Sequence, residues 1–305
     1  MRFIDLFAGV GGFHYGLQQC DRDRRKTEKS GKNEGNAASS TVIQRERELS
    51  FSCVYSNEWD KYANSVYRKH FGQCDNRDIR TVDAGEIPDH DLLCGGFPCQ
   101  SFSIAGKRGG FNDTRGTLFF DIARILKEKQ PRLCLLENVK GLLSHDNGRT
   151  FKTIIATLTE LGYDTQWQVL NSKNFGVPQN RERVFIIGHL RGTRRPQVFP
   201  IGESGKKPDE SYAQRNDIAH TVTNSDKHRG SYVKSDLLQG VSNKGASIRR
   251  LTPIECERLQ GFPDNWTQYG ADGEEISDTQ RYKMCGNAVT TNVISAIAER
   301  LNEPT

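Results

Sequence analysis

Residues 1–12 read MRFIDLFAGVGG: a short apolar run broken by one acid, then a turn that holds Gly9, Gly11 and Gly12. A β-branched and aromatic run that ends on glycines reads as a strand feeding a tight turn into a helix. Glycine lets the backbone turn sharply there and lets another molecule come close to it. The same rhythm recurs downstream. Apolar runs at 2–7, 52–56, 91–94, 133–136, 165–170 and 183–188 are separated by helical spacings. Residues 116–129 put Leu118, Ile122, Ile125 and Leu126 on one face and stop before Pro131, while 150–161 end at Gly162, a suitable C-cap. Strands that alternate with helices predict an α/β fold with a mostly parallel sheet.

Two segments break the rhythm. Residues 21–48 are charged, rich in Ser, Asn and Gly, and free of aromatic side chains. They read as an exposed, flexible insertion, or as a basic arm that touches a partner. From 192 to about 244 the chain is polar, basic and loop-rich, and order returns at SIRRLTP. A final helix is expected at 287–301, with Val289, Val293, Ile297 and Leu301 on one stripe that must dock on the sheet. The expected layout is a catalytic body at 1–190, a small domain at 191–279 and a C-terminal helix at 280–305 that returns to the body.

The 305 residues carry 43 Lys+Arg against 38 Asp+Glu, a formal charge of +5. Such a balance suits a polyanionic partner without requiring one. No apolar run approaches the roughly 20 residues of a membrane span, and the first residues lack a signal-peptide pattern. The eight cysteines form no CxxC pair and no zinc-ligand spacing. Reduced thiols, a cytoplasmic location and no metal are the expectations.

The chemistry gathers at strand ends. Glu58, in SNEWD, falls at the end of the second strand, where a carboxylate accepts from ribose hydroxyls. Asp78, in NRDI, could take an exocyclic adenine amine with Ile79 against the ring, and Phe7 and Trp59 add flat surfaces. Each acid alone also reads as a solvated surface carboxylate. As an ordered set with the glycine turn, they point to an adenosine-type ligand. Cys99 lies in GGFPCQSFS, just past a strand, where open α/β sheets place their sites. Pro98 stiffens that loop, which suits a held nucleophile, although a free thiol near neutral pH needs local help to ionise. A structural thiol is the competing reading. Glu137 follows four apolar residues and is therefore half-buried, which raises its pKa and makes it a usable proton donor. Arg181 and Arg183, two apart, would send both guanidinium groups to one side, toward carboxylates, phosphates or a carbonyl oxygen, or form a surface cation patch.

Taken in order, DLFAGVGG (5–12), GFPCQSFS (96–103), ENV (137–139), QNRER (179–183), RLTPIECERLQGFPDNW (250–266) and MCGNAV (284–289) closely resemble the DNA cytosine-5 methyltransferases of bacterial restriction-modification systems. The resemblance covers most of 1–190 and 247–301. It implies a Rossmann-like S-adenosylmethionine-dependent sheet with a small target-recognition domain, and S-adenosylhomocysteine as product. It also implies double-stranded DNA as substrate, with the cytosine flipped out of the helix. By the same resemblance Cys99 adds to C6, Glu137 engages N3, Arg183 holds O2 and Arg181 braces the Cys99 loop or its substrate. Pro98, Leu118 and Asn287 match positions that line the donor site. The loop 101–110, with Gly106, Gly109 and Gly110, is similar to a lid that closes over DNA, with Ser103 a candidate contact. IAHTVT resembles a recognition-domain signature and places Thr221 near phosphates, with Lys227, His228 and Arg229 as further DNA contacts or as solvated loop residues. The recognition spacer of about 50 residues is short for the family. A monomer is expected, with a restriction endonuclease as functional partner. A transfer-RNA cytosine methyltransferase of the same architecture, a non-catalytic DNA-binding relative and a nicotinamide oxidoreductase are the alternatives.

Overall fold

Strand β1 (Arg2–Leu6) is buried at every position but its first and stands inside a six-stranded sheet. Around it run β2 (Ser52–Asn57), β3 (Leu92–Gly96), β4 (Leu133–Val139), β5 (Tyr163–Asn171) and β7 (Glu182–Leu190), in the order β2-β1-β3-β4-β7-β5. The two-residue β6 (Gln179–Asn180) lies outside this sheet. The computed structural model describes residues 1–31, 50–97, 118–201, 219–220, 232–233 and 249–301. β1 pairs in parallel with β2 and β3, and β3 with β4; β7 is antiparallel to both β4 and β5. The carboxyl ends of β1 to β4 therefore share one edge. The chain leaves β1 toward β2 on one side and β3 on the other, so β1 ends at the point where strand order reverses. Clefts form at such points.

Both sheet faces are covered at the centre, which is why residues 92–95 of β3 and 133–136 of β4 are buried and carry no polar side chain rather than alternating. Successive side chains point to opposite faces. Phe3, Leu92, Leu135 and Phe185 pack with Leu17 of α1 (Gly12–Gly31) and with Val293, Ile294 and Ile297 of the C-terminal helix. On the opposite face Ile4, Leu93, Leu136 and Ile186 meet two helices. Phe119 and Ile122 come from α3 (Leu118–Lys129), Ile154 and Leu158 from α4 (Arg149–Glu160). Helix α2 (Lys61–Phe71) is capped by Asp60.

Three features differ from the sequence expectations. α1 continues to Gly31, so residues 21–31 of the expected insertion are helical; the Arg, Lys and Glu there are good helix formers. The expected helix 287–301 begins four residues late, as α7 (Thr291–Leu301), and α6 (Asp278–Asn287), which the sequence reading did not assign, precedes it across extended backbone at Ala288. A β-branched run, Val289-Thr290-Thr291, disfavours helix there, and Arg181 takes the carbonyls of Gly286 and Ala288. Third, 251–279 pack on the body. Trp266 stacks on His70 at 3.6 Å and donates Nε1–H to the Val10 carbonyl at 2.9 Å. Helix α5 (Pro253–Leu259) opens on a Thr252/Glu255 capping box. Its fully buried Glu257 accepts from the Thr267 amide at 2.8 Å and from Arg281 Nη2 at 3.0 Å, which ties α5 to α6.

Candidate active site

Phe7, one residue beyond β1, holds a φ of +56°, and Gly9 a φ of +55°. A left-handed aromatic residue is uncommon, and such backbone is kept where the surroundings enforce it. The three glycines of the turn do different work. Around Gly9 a β-carbon would meet nothing within 4 Å, so its face is open. At Gly11 a β-carbon would lie 2.2 Å from the Phe71 ring, and at Gly12 2.6 Å from Val289 Cγ1. Gly11 and Gly12 thus serve helix packing and do not line the cavity beside Gly9.

That cavity encloses about 540 Å³ at the carboxyl edge of β1 to β4. Its wall gathers Phe7, Gly9, Glu58, Trp59, Asp78, Ile79, Leu118, Glu137, Arg181, Arg183 and Asn287, all expected site residues. It also takes in residues that sequence reading missed: Asn57, Asp60, Phe97, Asn138 and Lys283. Cavities of roughly 300–1,000 Å³ hold ordinary small molecules.

The acidic half of the wall is tightly bonded. Buried Glu58 accepts from Gly9 N at 2.8 Å through Oε2 and from Asp60 N at 2.8 Å through Oε1. Burial raises its pKa and those two amides partly offset the rise. Trp59 beside it is 68% exposed, a large apolar ring left bare at the cavity rim. Asp60 caps α2 and forms an ion pair with Lys283 of α6. Asp78 caps a short turn through the amide of Arg80 and is held below the usual carboxylate range by the Arg80 guanidinium. An amine reaches that carboxylate only if the exposed Arg80 side chain swings away.

The other half carries opposite charges face to face. Glu137, in β4, lies 3.0 Å from Arg183 Nε at the start of β7, with the two side chains 13% and 14% exposed. Burial pushes the Glu137 carboxyl up, and the charges of Arg183 and Arg181 pull it back. Arg181 does not lie in the strand, as its two-residue spacing from Arg183 suggests. It precedes β7, is fully buried, and donates to the Gly286 carbonyl at 3.1 Å and the Ala288 carbonyl at 2.7 Å. Burial and Arg183 lower its pKa to about 9, so it remains a cation at neutral pH. Asn138 donates to the Phe97 carbonyl at 2.8 Å and so anchors the chain where it leaves β3 for Cys99.

Pro98, Cys99, Ser103, the loop glycines Gly106, Gly109 and Gly110, and Thr221, Lys227, His228 and Arg229 lie outside the described residues. Among the described residues no His, Cys, Asp and Glu cluster could hold a metal ion, and no helix is long and apolar enough to cross a membrane.

The sequence matches the family described as C-5 cytosine-specific DNA methylase, over residues 1–236 and 199–303. It is 39% identical to the Type II methyltransferase M.SsoII of Shigella sonnei, across 98% of this chain and 79% of that one. To the Type II methyltransferase M.HhaI of Haemophilus parahaemolyticus it is 36% identical, across 98% and 93% of the two chains. In three dimensions it is similar to the S. pombe Dnmt2 methyltransferase, with a TM-score of 0.68, 19% identity and coverage of 99% and 98%. That last likeness is one of fold.

Proposed function

Because the chain belongs to the C-5 cytosine-specific DNA methylase family and is a DNA cytosine-5 methyltransferase, we propose how its residues divide the work. The family depends on S-adenosylmethionine. Three observations make the cavity fit that group: open space over Gly9, the bare ring of Trp59, and the buried carboxylate of Glu58 beside them. When bound, S-adenosylmethionine supplies an electrophilic methyl group on a sulfonium. Glu58 accepts the ribose hydroxyls, Trp59 and Ile79 flank the adenine with Phe7 and Leu118, and Asp78 takes the exocyclic amine. Gly9, Pro98 and Asn287 complete the cradle.

The pairing of Glu137 with Arg183 in this same cavity is the observation that carries the reading. A carboxyl whose pKa burial has raised holds a proton for N3 of a flipped cytosine, while a neighbouring guanidinium donates to the carbonyl O2. Protonation at N3 lets the Cys99 thiolate add to C6 and leaves C5 with the electron pair of an enamine. After C5 takes the methyl group and S-adenosylhomocysteine is left, a base removes the C5 proton, the thiolate is expelled and N3 returns its proton to Glu137, which restores the ring. Arg181, bound through backbone carbonyls to the α6–α7 turn, holds this side of the cavity in place. The base reaches the pocket only by leaving the duplex, at a cost of a few kcal/mol.

The substrate is double-stranded DNA, read by the small domain between 191 and about 250 with Ser103, Thr221, Lys227, His228 and Arg229 at the phosphates. The protein acts as a cytoplasmic monomer, without a metal, as the modification partner of a restriction endonuclease. S-adenosylhomocysteine is its product. Transfer of labelled methyl groups to duplex DNA and to transfer RNA, followed by bisulfite sequencing of the DNA, tests this. Methylcytosine in DNA at one recurring sequence supports it; label confined to transfer RNA contradicts it.

A further inference from the structure

Asp60 and Lys283 are 223 positions apart in sequence, yet their side chains meet at the cavity rim. Lys283 sits one turn before Asn287 on α6, so both project from one face of that helix and both line the cavity. Asp60 is engaged through both carboxylate oxygens and its amide. Its Oδ1 accepts from the amides of Tyr62 at 3.0 Å and Ala63 at 3.2 Å; its own amide donates to Glu58 Oε1; its Oδ2 faces Lys283 Nζ. Glu58 in turn holds the Gly9 amide. A continuous chain of contacts therefore runs from Gly9 through Glu58 and Asp60 to Lys283, and its last link joins the strand-end wall to α6.

We infer that the Asp60–Lys283 ion pair is a clasp that holds α6 against the β2–α2 edge and thereby sets the affinity of the cavity for the methyl donor and its product. The inference rests on the donor site proposed above and adds positioning residues that act through Glu58 and Asn287. An ordinary solvated pair would contribute little. Here the two side chains are only 32% and 24% exposed, and the pair closes a wall built from distant parts of the chain. Asp60 also has a capping duty that does not depend on its charge. Asparagine keeps the capping oxygen and loses only the ion pair.

The test is calorimetric titration of S-adenosylhomocysteine into the full-length protein and its Lys283→Met, Asp60→Asn, doubly substituted and Lys283→Arg variants, with melting temperatures measured without ligand. Breaking the clasp from either side should weaken binding about 5- to 10-fold, and the double variant should match the singles rather than multiply them. Lys283→Arg should bind within about 2-fold of the parent, since the charge is kept. Ligand-free melting should fall by no more than about 2 °C, as expected for one part-exposed pair. If the parent binds and both single variants bind within about 2-fold of it, or the losses multiply, the clasp is overturned and the donor site stands. If the parent itself does not bind, the donor site fails and the clasp with it.

Discussion

Gly96 stands opposite Glu137 in the parallel register of β3 and β4, and a β-carbon on it would lie 3.1 Å from Glu137 Oε2. The glycine leaves room for the carboxyl. The Phe13 ring, 3.6 Å from the same point, is at ordinary contact distance, so the crowding falls on the Glu137 carboxyl. Gly96→Ala should displace the Glu137 carboxyl by a few tenths of an ångström and reduce kcat on duplex DNA by about 10-fold or more. The loss should come without a matching loss of stability, because alanine lowers the entropy of the unfolded chain. Single-turnover methyl transfer and a thermal melt on the same sample check both halves.

The raised pKa of Glu137 has a kinetic signature. Its protonated form persists to higher pH than that of a free glutamate, and methyl transfer that needs the proton must slow as pH rises through the folded pKa. The Cys99 thiolate works in the other direction, so the profile should rise and then fall. Glu137→Gln should lower kcat by about 10²- to 10⁴-fold and remove the alkaline fall, since an amide does not titrate. A variant that keeps the descending limb would assign that limb to another group.

Asp5 is fully buried in β1, and burial pushes its carboxyl well above the usual range; the nearby backbone N–H of His14 works against that and the charge of Glu58 adds to it. A folded pKa above the unfolded one means that folding takes up a proton. The associated stability is complete below the unfolded pKa, near 3.9, and is lost as pH rises toward the folded value. Asp5→Asn removes this dependence. The stability of the variant minus that of the parent should grow as pH rises above the unfolded pKa, by about 1.4 kcal/mol per unit for as long as the folded carboxyl stays protonated. Urea titrations at several pH values measure it, and a constant difference would contradict it.

Much of the site was legible because its residues sit where strands end. Apolar runs locate β1 to β4, and the first acid after such a run must emerge at the sheet edge, which is how Glu58 and Glu137 could be found. What escaped depends on partners far away in sequence. Gly11 and Gly12 look like Gly9 until Phe71 and Val289 are seen against them. Arg181 reads as half of a strand pair, yet its position is set by the carbonyls of Gly286 and Ala288, 105 and 107 residues on. Those same contacts accompany the break between α6 and α7, which delays the start of the last helix to Thr291 where helical spacing alone predicts a start at 287. Asp60 and Lys283 each look like surface charges. Only the fold makes them a pair.

The central claim is that the sulfur of Cys99 bonds transiently to C6 of a flipped cytosine. A duplex in which 5-fluorocytosine replaces the target base blocks loss of the C5 substituent and should leave the protein attached after one methyl transfer. Mass spectrometry of the trapped peptide is expected to place the adduct on Cys99, with none formed by the Cys99→Ala protein. An adduct on any other residue, or none from a protein that methylates the ordinary duplex, would contradict the account.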